Sequence, residues 1–471
     1  MATADQTTFY LTTSICPTCE RLLPGRVVGR DDGVFVARDC PEHGPFEGLV
    51  CSDLDWWRSL PRFDVEPAGP PTGLRPSERG CPLDCGLCTA HRQIAGTAAI
   101  EISNRCNANC PTCIADNKAT FDLSVADVRA MVESLLRAQP RVDVLAISGG
   151  EPTMHPELFE ILDAVSRPEI GRVALNSNGI LIAKDDALLD RLASYPNLYV
   201  ALHYDGPGAK ALRGIDHAVQ QRALERLSSR GIATVPVVLA AEGVNDTDLG
   251  PVVRDLLVRP TVKSVMISML AHAGAGGARF PGDPRRQLTI PAAIDHMARG
   301  SRGALARPDF MPLPMPNPMC AAIGYFLVER DEVTGLIPLG DLDEVIEATK
   351  NTSFAQSDAD LERMLRDAVD RIYANPDRFD DAPALLAKFR GLLDRLFPLG
   401  RALAPEARHA LVEEHIKTVY LFQFMDAYTF DTKRLAKCSC HHLMPDGSTI
   451  PSCSYYAYHR QRDPRFVVAR S

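Results

Sequence analysis

The spacing of the cysteines is the feature that most constrains this chain. Nearly all of the fourteen cysteines among its 471 residues fall in short groups. The N-terminal stretch has no basic region followed by an apolar run, so we expect no secretory signal and a cytoplasmic location. Cysteines in such a setting are metal ligands or catalytic groups more often than disulfide partners. The grouping therefore predicts several metal sites.

The overall composition is that of an ordinary globular protein. Apolar residues make up 45% and charged residues 24% of the chain, and the formal net charge is −9. No basic stripe stands out, so we expect no nucleic-acid partner. No run approaches the roughly 20 apolar residues of a membrane span, so we expect no transmembrane segment.

Strand-like and helix-like runs alternate through the middle of the chain. The strand-like runs lie at 98–103, 142–148, 172–177, 198–204, 233–240 and 264–270. The helix-like runs lie at 124–138, 157–167, 184–195, 215–230 and 247–258. This alternation predicts an α/β fold in which six βα units form a partial, TIM-like (β/α)6 barrel. The functional groups of such a barrel lie at the carboxyl ends of its strands.

Changes in composition divide the chain into five expected segments. These are a zinc-ribbon or rubredoxin-like metal domain (1–65), a linker that carries a metal-binding segment (66–97), the barrel (98–308), a hairpin and helical region that covers the substrate (309–435), and a cysteine-bearing tail (436–471). Within the fourth segment we expect the hairpin at 325–339 and helices over about 342–428, one of which spans 406–425.

The central motif is the C-x3-C-x2-C loop of Cys106, Cys110 and Cys113, directly after the first barrel strand. Three thiolates on one short loop can bind three corners of a [4Fe–4S] cluster, which leaves one iron without a protein ligand. That iron is then open to a small molecule. The alternatives are a structural zinc loop and a four-cysteine, ferredoxin-type cluster.

A second motif, Gly149-Gly150-Glu151-Pro152, ends the second barrel strand. Adjacent glycines allow the backbone to approach a ligand closely. Glu151 can accept hydrogen bonds from a ligand ammonium group. The alternative is a simple turn at the end of a strand.

The cysteine loop and the Gly-Gly-Glu-Pro turn together resemble the radical S-adenosylmethionine (AdoMet) superfamily, whose fold is a partial (β/α)6 barrel. The resemblance covers about 98–275. It implies reductive cleavage of AdoMet to methionine and a 5′-deoxyadenosyl radical, with the electron supplied by an external flavodoxin or ferredoxin. By analogy, Ser177 and Asn178 bind the ribose or carboxylate of AdoMet, and Asp205 faces the ribose or the substrate. Each of these three residues can also be a helix cap or turn former.

The N-terminal cysteines form two short-spaced pairs, Cys16 with Cys19 and Cys40 with His43. Two such pairs separated by a hairpin-sized gap are typical of a zinc ribbon or a rubredoxin-like site that holds one zinc or iron ion. Cys51 is the alternative to His43 as the fourth ligand. A closed site of this kind stabilises a unit too small to fold on its own core.

Two further cysteine groups predict one or two auxiliary iron–sulfur clusters. Cys81, Cys85 and Cys88 repeat the C-x3-C-x2-C spacing, with His91 as a candidate fourth ligand and zinc as the alternative metal. In the tail, an Asp-Gly hairpin signal precedes the last cysteine and folds it back towards the others. A third cluster is then built from Cys320, Cys438 or Cys440, and Cys453. The alternative for Cys320 is that of a small buried apolar residue.

The whole layout resembles a narrower group within this superfamily. The matching features are CPxC…CPEHG, GCPxDCGLCxxHxQ, the AdoMet loop, GGEP, the MDAYxFD segment at 425–431 and the PDG-containing tail. This group includes archaeal tetraether lipid synthases and 6-hydroxymethyl-dihydropterin dimethyltransferase. The resemblance implies C–C bond formation, by alkyl coupling or methylation, at an unactivated sp3 or heteroaromatic carbon of a lipid or other small molecule. The chain departs from the group at 94–98, where a cysteine is missing, and at the IPSC of its tail.

The rival class is a non-enzymatic protein, either an iron–sulfur electron carrier or a zinc-ribbon binding protein. An electron carrier has no need of six βα units with GGEP at a strand end, and a nucleic-acid binder of the ribbon class should carry a basic patch. A colourless protein that contains only zinc would favour this class.

Overall fold

An antiparallel sheet forms the N-terminal part of this computed structural model, which describes residues 6–67, 72, 75–115, 121–277, 280–352, 358–379, 381–400 and 403–466. Its four strands pair in chain order: β1 Thr7–Ile15, β2 Leu22–Arg30, β3 Gly33–Cys40 and β4 Gly44–Cys51. Helix α1, Leu54–Ser59, follows directly because the side chain of Asp53 accepts hydrogen bonds from its first backbone amides.

The barrel follows, and its strands and helices alternate as predicted. Its elements are β5 Thr97–Ser103, α2 Val125–Ala138, β6 Val142–Gly149, α3 Leu158–Val165, β7 Ile170–Ser177, α4 Asp186–Leu192, β8 Leu198–His203, α5 Ala209–Arg213, α6 His217–Ser229, β9 Thr234–Ala240, α7 Leu249–Leu257, β10 Ser264–Met269, α8 Gly274–Gly277 and α9 Ile290–Gly300. Strands β5 to β10 are parallel and adjacent in chain order. The six predicted strands and the five predicted helices are confirmed.

Local signals explain where these helices begin and which face they bury. Helix α2 begins at a capping box in which Ser124 and Asp127 bind each other's backbone amides. Its buried residues, Val128, Met131 and Leu135, recur at helical spacing and face the sheet. The same pattern in the other barrel helices places one continuous apolar core between sheet and helices.

The chain beyond the barrel adds strands to both of its edges. The elements are β11 Phe310–Pro312, β12 Ala321–Glu329, β13 Glu332–Gly335, α10 Leu342–Thr349, α11 Asp358–Ala374, α12 Ala382–Leu396, α13 Pro405–His415, β14 Ile416–Phe422, α14 Thr432–Leu435, β15 Cys440–Leu443, β16 Thr449–Pro451 and α15 Ser452–Ser454. Strands β12 and β13 form the predicted hairpin, and β15 and β16 form the Asp-Gly hairpin of the tail.

The helix predicted over 406–425 was wrong for its second half. Helix α13 ends at His415, and the residues of β14 alternate between half-buried and buried positions. Strand β14 pairs in parallel with β10 and antiparallel with β12. The run Ile416–Phe422 is rich in β-branched and aromatic residues, and a barrel edge with unpaired backbone groups was available to it.

The tail closes the opposite edge, because β15 pairs in parallel with β5. The sheet order is therefore β11-β12-β14-β10-β9-β8-β7-β6-β5-β15-β16, with β13 on β12. This arrangement brings cysteines from the tail beside the first barrel strand. No helix in the described ranges is both long and apolar enough to cross a membrane, and the cytoplasmic location stays a prediction.

Candidate active site and metal centres

A cavity of about 1160 Å³ runs through the barrel. At the carboxyl ends of the strands it is lined by Cys106, Cys110 and Cys113. Along the barrel it is lined by small side chains such as those of Ala146 and Ala174. Its volume exceeds the roughly 300–1,000 Å³ of most ligand pockets. The cavity therefore has room for more than one small ligand.

The end of β5 holds the base of the cysteine loop in place. The Ser103 hydroxyl donates to Asp122 (2.8 Å) and accepts from the Arg105 backbone amide (3.0 Å). Burial raises the pKa of the Cys106 thiol, and it raises the pKa of Cys110 to about 11. Burial thus disfavours the thiolate form, which a bound metal cluster would stabilise.

The two glycines that end β6 bring that strand against the cysteine loop. A Cβ atom on Gly149 would lie 2.0 Å from the Ser103 carbonyl oxygen, and one on Gly150 would lie 2.2 Å from the Arg105 carbonyl oxygen. Gly149 also has a φ of +132°, a backbone angle that residues other than glycine rarely adopt. The sequence predicted that the backbone at these glycines would approach a ligand closely. In the structure it approaches the cysteine loop.

Glu151 joins the ends of β6 and β7. Its carboxylate accepts from the Ser177 hydroxyl (2.8 Å) and the Asn178 backbone amide (2.7 Å). Burial raises the pKa of Glu151. The Asn178 side chain donates to Asn107 in the cysteine loop (2.8 Å). The five residues predicted to bind AdoMet at these two strand ends all line the cavity beside the three thiols: Gly149, Gly150, Glu151, Ser177 and Asn178.

Asp205, the sixth predicted AdoMet-binding residue, lies behind the wall of the cavity. One carboxylate oxygen accepts from Arg213 (3.1 Å) and Gln220 (3.1 Å), and the other accepts from the Leu239 backbone amide (2.8 Å). Arg213 itself lines the cavity, and its positive charge lowers the pKa of Cys110 against the larger effect of burial. Asp205 therefore positions Arg213. Sequence reasoning missed Arg213, because nothing in its surroundings distinguishes it from other arginines on helices.

The N-terminal ligand set is brought together as predicted. The ligand atoms of Cys16, Cys19, Cys40 and His43 all lie within 4.8 Å of one another. The His43 Nδ1 atom is 3.5 Å from the Cys40 sulfur and 3.7 Å from the Cys16 sulfur. Cys51 lies elsewhere: its thiol donates to the Asp53 carbonyl (3.1 Å), and burial raises its pKa to about 12. The arrangement fits four ligands on one tetrahedral ion.

The Cys81 group lies beneath the tail. Cys81 and Cys85 pack against an apolar cluster that includes Cys453, and the Cys85 sulfur is 3.3 Å from the Ser454 hydroxyl. The imidazole of His91 contacts the segment that carries Cys438 and His441. Its Nε2 atom is 3.0 Å from the Cys438 carbonyl oxygen and 3.1 Å from His441 Nε2.

The third cysteine group lines the same cavity as the loop that carries Cys106, Cys110 and Cys113. The cavity is lined by all four of its members, Cys320, Cys438, Cys440 and Cys453. The Ser452 hydroxyl is 3.2 Å from the Cys440 sulfur, and the Met425 backbone amide donates to Cys453 (3.3 Å). Burial, and after it the neighbouring Cys320 thiol, raises the pKa of Cys453 to about 12.

A buried arginine tests whether this group suits an anionic metal centre. Arg434 is 1% exposed, and its Nη2 atom lies 3.5 Å from the Cys320 sulfur and 3.1 Å from the Gln423 carbonyl oxygen. Its Nε and Nη1 atoms have no hydrogen-bond partner among the described residues. A buried guanidinium requires nearby negative charge, and the Asp431 carboxylate supplies part of it. Thiolates on an iron–sulfur cluster would add negative charge beside Arg434, so these residues fit such a group.

The spacing of the ligand atoms separates the two kinds of centre. Four sulfurs on one zinc ion lie about 3.8 Å apart, because each Zn–S bond is about 2.3 Å long. Within the described ranges, the close sets of three or more ligand atoms are the N-terminal one and a partly exposed set of Glu242, Asp246 and His296. Among the described cysteines, in none of the other three groups do three sulfur atoms lie within 4.8 Å of one another, which suits ligands bound to different irons of a cluster.

Gly96 lies in the stretch 94–98, where the chain departs from the group, and it borders the segment that carries Cys438 and Cys440. A Cβ atom on Gly96 would lie 2.0 Å from the Met315 methyl carbon and 3.8 Å from the Ser439 carbonyl oxygen. Met315 thus fills the space that a larger residue would need.

Two family models match parts of the chain. The model of the radical SAM superfamily matches residues 100–256, and that of the HMPTM N-terminal zinc ribbon domain matches residues 8–52. Both matches coincide with the sites described above.

Known proteins resemble the chain over different lengths. The 7,8-dihydro-6-hydroxymethylpterin dimethyltransferase of Methanocaldococcus jannaschii is 26% identical, over 96% of this chain and 94% of its own. The mycofactocin maturase MftC of Mycobacterium ulcerans is 31% identical, over 31% of this chain and 41% of its own. Among solved structures, Streptococcus suis SuiB bound to the precursor peptide SuiA has a TM-score of 0.36 and 16% identity, and the match covers 41% of this chain and 43% of SuiB.

Proposed function

The chain belongs to the radical SAM superfamily, and from this premise we propose that it forms a C–C bond at an unactivated carbon of a long, apolar substrate. Cys106, Cys110 and Cys113 would hold the [4Fe–4S] cluster. When bound, this cluster and AdoMet supply the 5′-deoxyadenosyl radical that removes hydrogen from the substrate. The two further cysteine groups would hold auxiliary clusters, and the N-terminal site would hold one zinc or iron ion.

The residues around the AdoMet loop bind and orient rather than react. Glu151 holds the ends of β6 and β7 together, and Asn178 ties the latter to the cysteine loop. Arg213, fixed by Asp205, places a positive charge beside the thiolates. These contacts fix the cysteine loop relative to the strand ends, and a fixed geometry of this kind lowers the entropic part of the barrier.

The shape of the cavity is the observation that carries the choice of substrate. Beyond the AdoMet loop, the cavity continues along the alanine-lined interior and reaches Leu365, Ala368 and Phe389 of the helical region. A ring the size of a pterin would fill only the mouth. An alkyl chain would fill the length of the barrel, and its burial would contribute about 0.8 kcal/mol per CH₂ group.

The far end of the cavity suits the polar end of such a substrate. The lining there includes Lys263 and the ion pair of Arg172 with Glu413 (2.6 Å). Lys263 directly precedes β10, Arg172 lies near the start of β7, and Glu413 lies near the end of α13, so all three are at the end of the barrel opposite the cysteine loop. An amphiphilic molecule would therefore place its reactive carbon near the loop and its head group at this end. We propose that an external flavodoxin or ferredoxin supplies the electron.

A second candidate is methylation of a pterin-like heteroaromatic ring. It is favoured by the relative from Methanocaldococcus jannaschii, which matches 96% of this chain and is named a hydroxymethylpterin dimethyltransferase. In that reaction the length of the barrel interior would have no substrate to hold.

The experiment incubates anaerobic, reconstituted and reduced enzyme with AdoMet and either a long-chain lipid or a hydroxymethylpterin. We expect 5′-deoxyadenosine and a coupled or alkylated lipid from the wild type, and neither from Cys113→Ala. Ala174→Leu narrows the barrel and should abolish turnover of the lipid. Ala130→Leu, on the exposed face of α2, is the matched control. As a control for folding, Ala174→Leu is also incubated with a short-chain substrate, and formation of 5′-deoxyadenosine would show that this variant is folded.

Each outcome decides between the candidates. Loss of lipid turnover in Ala174→Leu, but not in Ala130→Leu, supports a chain inside the barrel. Unchanged lipid turnover in Ala174→Leu overturns that placement. Methylation of the pterin, with no reaction of any lipid, replaces the leading proposal by the second candidate.

A further inference from the structure

We infer that His459 is the fourth protein ligand of the metal centre held by Cys81, Cys85 and Cys88. This inference rests on the proposed auxiliary cluster of the Cys81 group. The spacing of the cysteines does not indicate this ligand. It comes from the tail, whereas His91, the candidate that the sequence suggested, lies shortly after Cys88.

The position of the Cys81 group calls for a fourth ligand from the protein. The cavity that holds the other thiols is lined by Cys106, Cys113 and Cys453, whereas none of the Cys81 group is among the described residues that line it. An open iron in the Cys81 group would therefore have no route to substrate through this cavity. A closed cluster, with protein ligands at all four irons, is the arrangement that fits this location.

The tail lies directly across the Cys81 loop. After α15 the chain forms a short π-helix over Tyr455–His459, and the end of this helix lies over the loop. The Ser454 hydroxyl lies 3.3 Å from the Cys85 sulfur, and the His459 Nε2 atom lies 3.0 Å from the carbonyl oxygen of Pro82. Pro82 stands between the first two cysteines of the loop. His459 therefore contacts this loop through its imidazole.

The contact with Pro82 orients the imidazole for ligation. A metal-bound histidine nearly always donates its second ring N–H to a carboxylate or a backbone carbonyl. With Nε2–H donated to Pro82, the Nδ1 atom carries the free lone pair. The imidazole also lies beside Cys85.

The other candidates are occupied elsewhere. The Nε2 atom of His91 is hydrogen-bonded to the Cys438 carbonyl oxygen and to His441, and its imidazole also hydrogen-bonds to the Gln93 backbone. Cys438 lines the cavity with the third group, which already has four thiols. The two auxiliary groups thus divide into one set of three thiols with an imidazole and one set of four thiols. Because a neutral imidazole replaces an anionic thiolate, the first cluster should have the higher reduction potential.

The test uses full-length, iron-reconstituted protein in which Cys106, Cys110 and Cys113 are replaced by alanine, so that only auxiliary clusters contribute. The sample contains no AdoMet, is reduced with dithionite, and is examined by pulsed EPR for strong ¹⁴N coupling. We expect this coupling in the parent, its loss in His459→Ala and its persistence in His91→Ala. Labelling with ¹⁵N-histidine should convert the ¹⁴N signal into a ¹⁵N signal.

The variant His459→Cys distinguishes loss of the imidazole ligand from misfolding of the protein. It should retain the iron content of the parent, lose the nitrogen coupling and show a lower midpoint potential. Absence of strong coupling in the parent, its persistence in His459→Ala or His459→Cys, or its loss in His91→Ala would each overturn the assignment. The formation of 5′-deoxyadenosine by the intact enzyme, measured separately, tests the proposed function, so the two failures are distinguishable.

Discussion

Replacing Glu101 with glutamine should loosen the attachment of the tail to the barrel. Glu101 lies in β5 and is 2% exposed. Its carboxylate accepts from Tyr455 (2.9 Å) and from the Arg460 Nε atom (3.2 Å). Through these contacts the first barrel strand holds the segment that carries Cys453 and His459. The position of two proposed metal ligands therefore depends on one buried ion pair.

The size of the effect follows from the burial of both partners. The side chains of Glu101 and Arg460 are 2% and 6% exposed. Removing one charge of a buried pair costs about 3–5 kcal/mol, because the other charge stays in a poorly solvated site. A loss of about 3 kcal/mol is a change of roughly 150-fold in an equilibrium constant. This change should apply to the local opening of the tail.

Hydrogen–deuterium exchange of tail peptides over 440–462 measures this opening. In Glu101→Gln these amides should exchange roughly 150-fold faster, while peptides from β7 and β8 keep the wild-type rates. In the double variant Glu101→Gln with Arg460→Met, most of the protection should return, because both charges are gone. An increase of less than about threefold in the single variant, or additive losses in the double variant, would refute the reasoning.

Three further predictions concern the metal centres and the barrel. Cys19→Ser should lower the zinc or mononuclear iron content by one ion per chain and speed amide exchange over 7–51, and an unchanged metal content would contradict the site. Arg434→Gln should lower the midpoint potential of the proposed Cys320 cluster more than Arg434→Lys does, because a positive charge favours the more negative, reduced cluster. Burial lowers the pKa of Lys417 from 10.5 to about 8, so between these values the unfolded chain binds more protons than the folded chain, and stability rises with pH. From pH 7.5 to 9.5, the urea midpoint of the wild type should therefore rise relative to the urea midpoint of Lys417→Met. A difference between the two midpoints that does not change with pH would contradict the prediction.

Contiguous motifs were the part of the active site that could be predicted from the sequence. The three cysteines of the AdoMet loop lie within eight residues, so a single loop presents all three whatever surrounds it. The glycines at 149 and 150 could likewise be recognised, although their main contact is with the cysteine loop. Asp205 shows the limit of this reasoning, because a polar residue at a strand end can face the cavity or support a neighbour.

The barrel was predictable for a similar reason, and its edges were not. Apolar periodicity marks a strand or a helix that packs on one face, and the six βα units carry that pattern locally. Ile416–Phe422 continues a helical run without a strong boundary, and its state depends on the free edge of β10. Pairing of this kind involves residues some 150 positions apart, which no local window contains.

By itself, the sequence determined the class of chemistry and the framework that presents it, since short loops and periodic faces are specified by neighbours along the chain. Only the tertiary structure decided which side chains surround the cysteine groups and what faces the cavity. Arg213 and Arg434 approach thiols, and His459 approaches the Cys81 loop, from distant segments. Such partners are selected by the packing of the whole sheet, because burial and charge act across space and not along the chain.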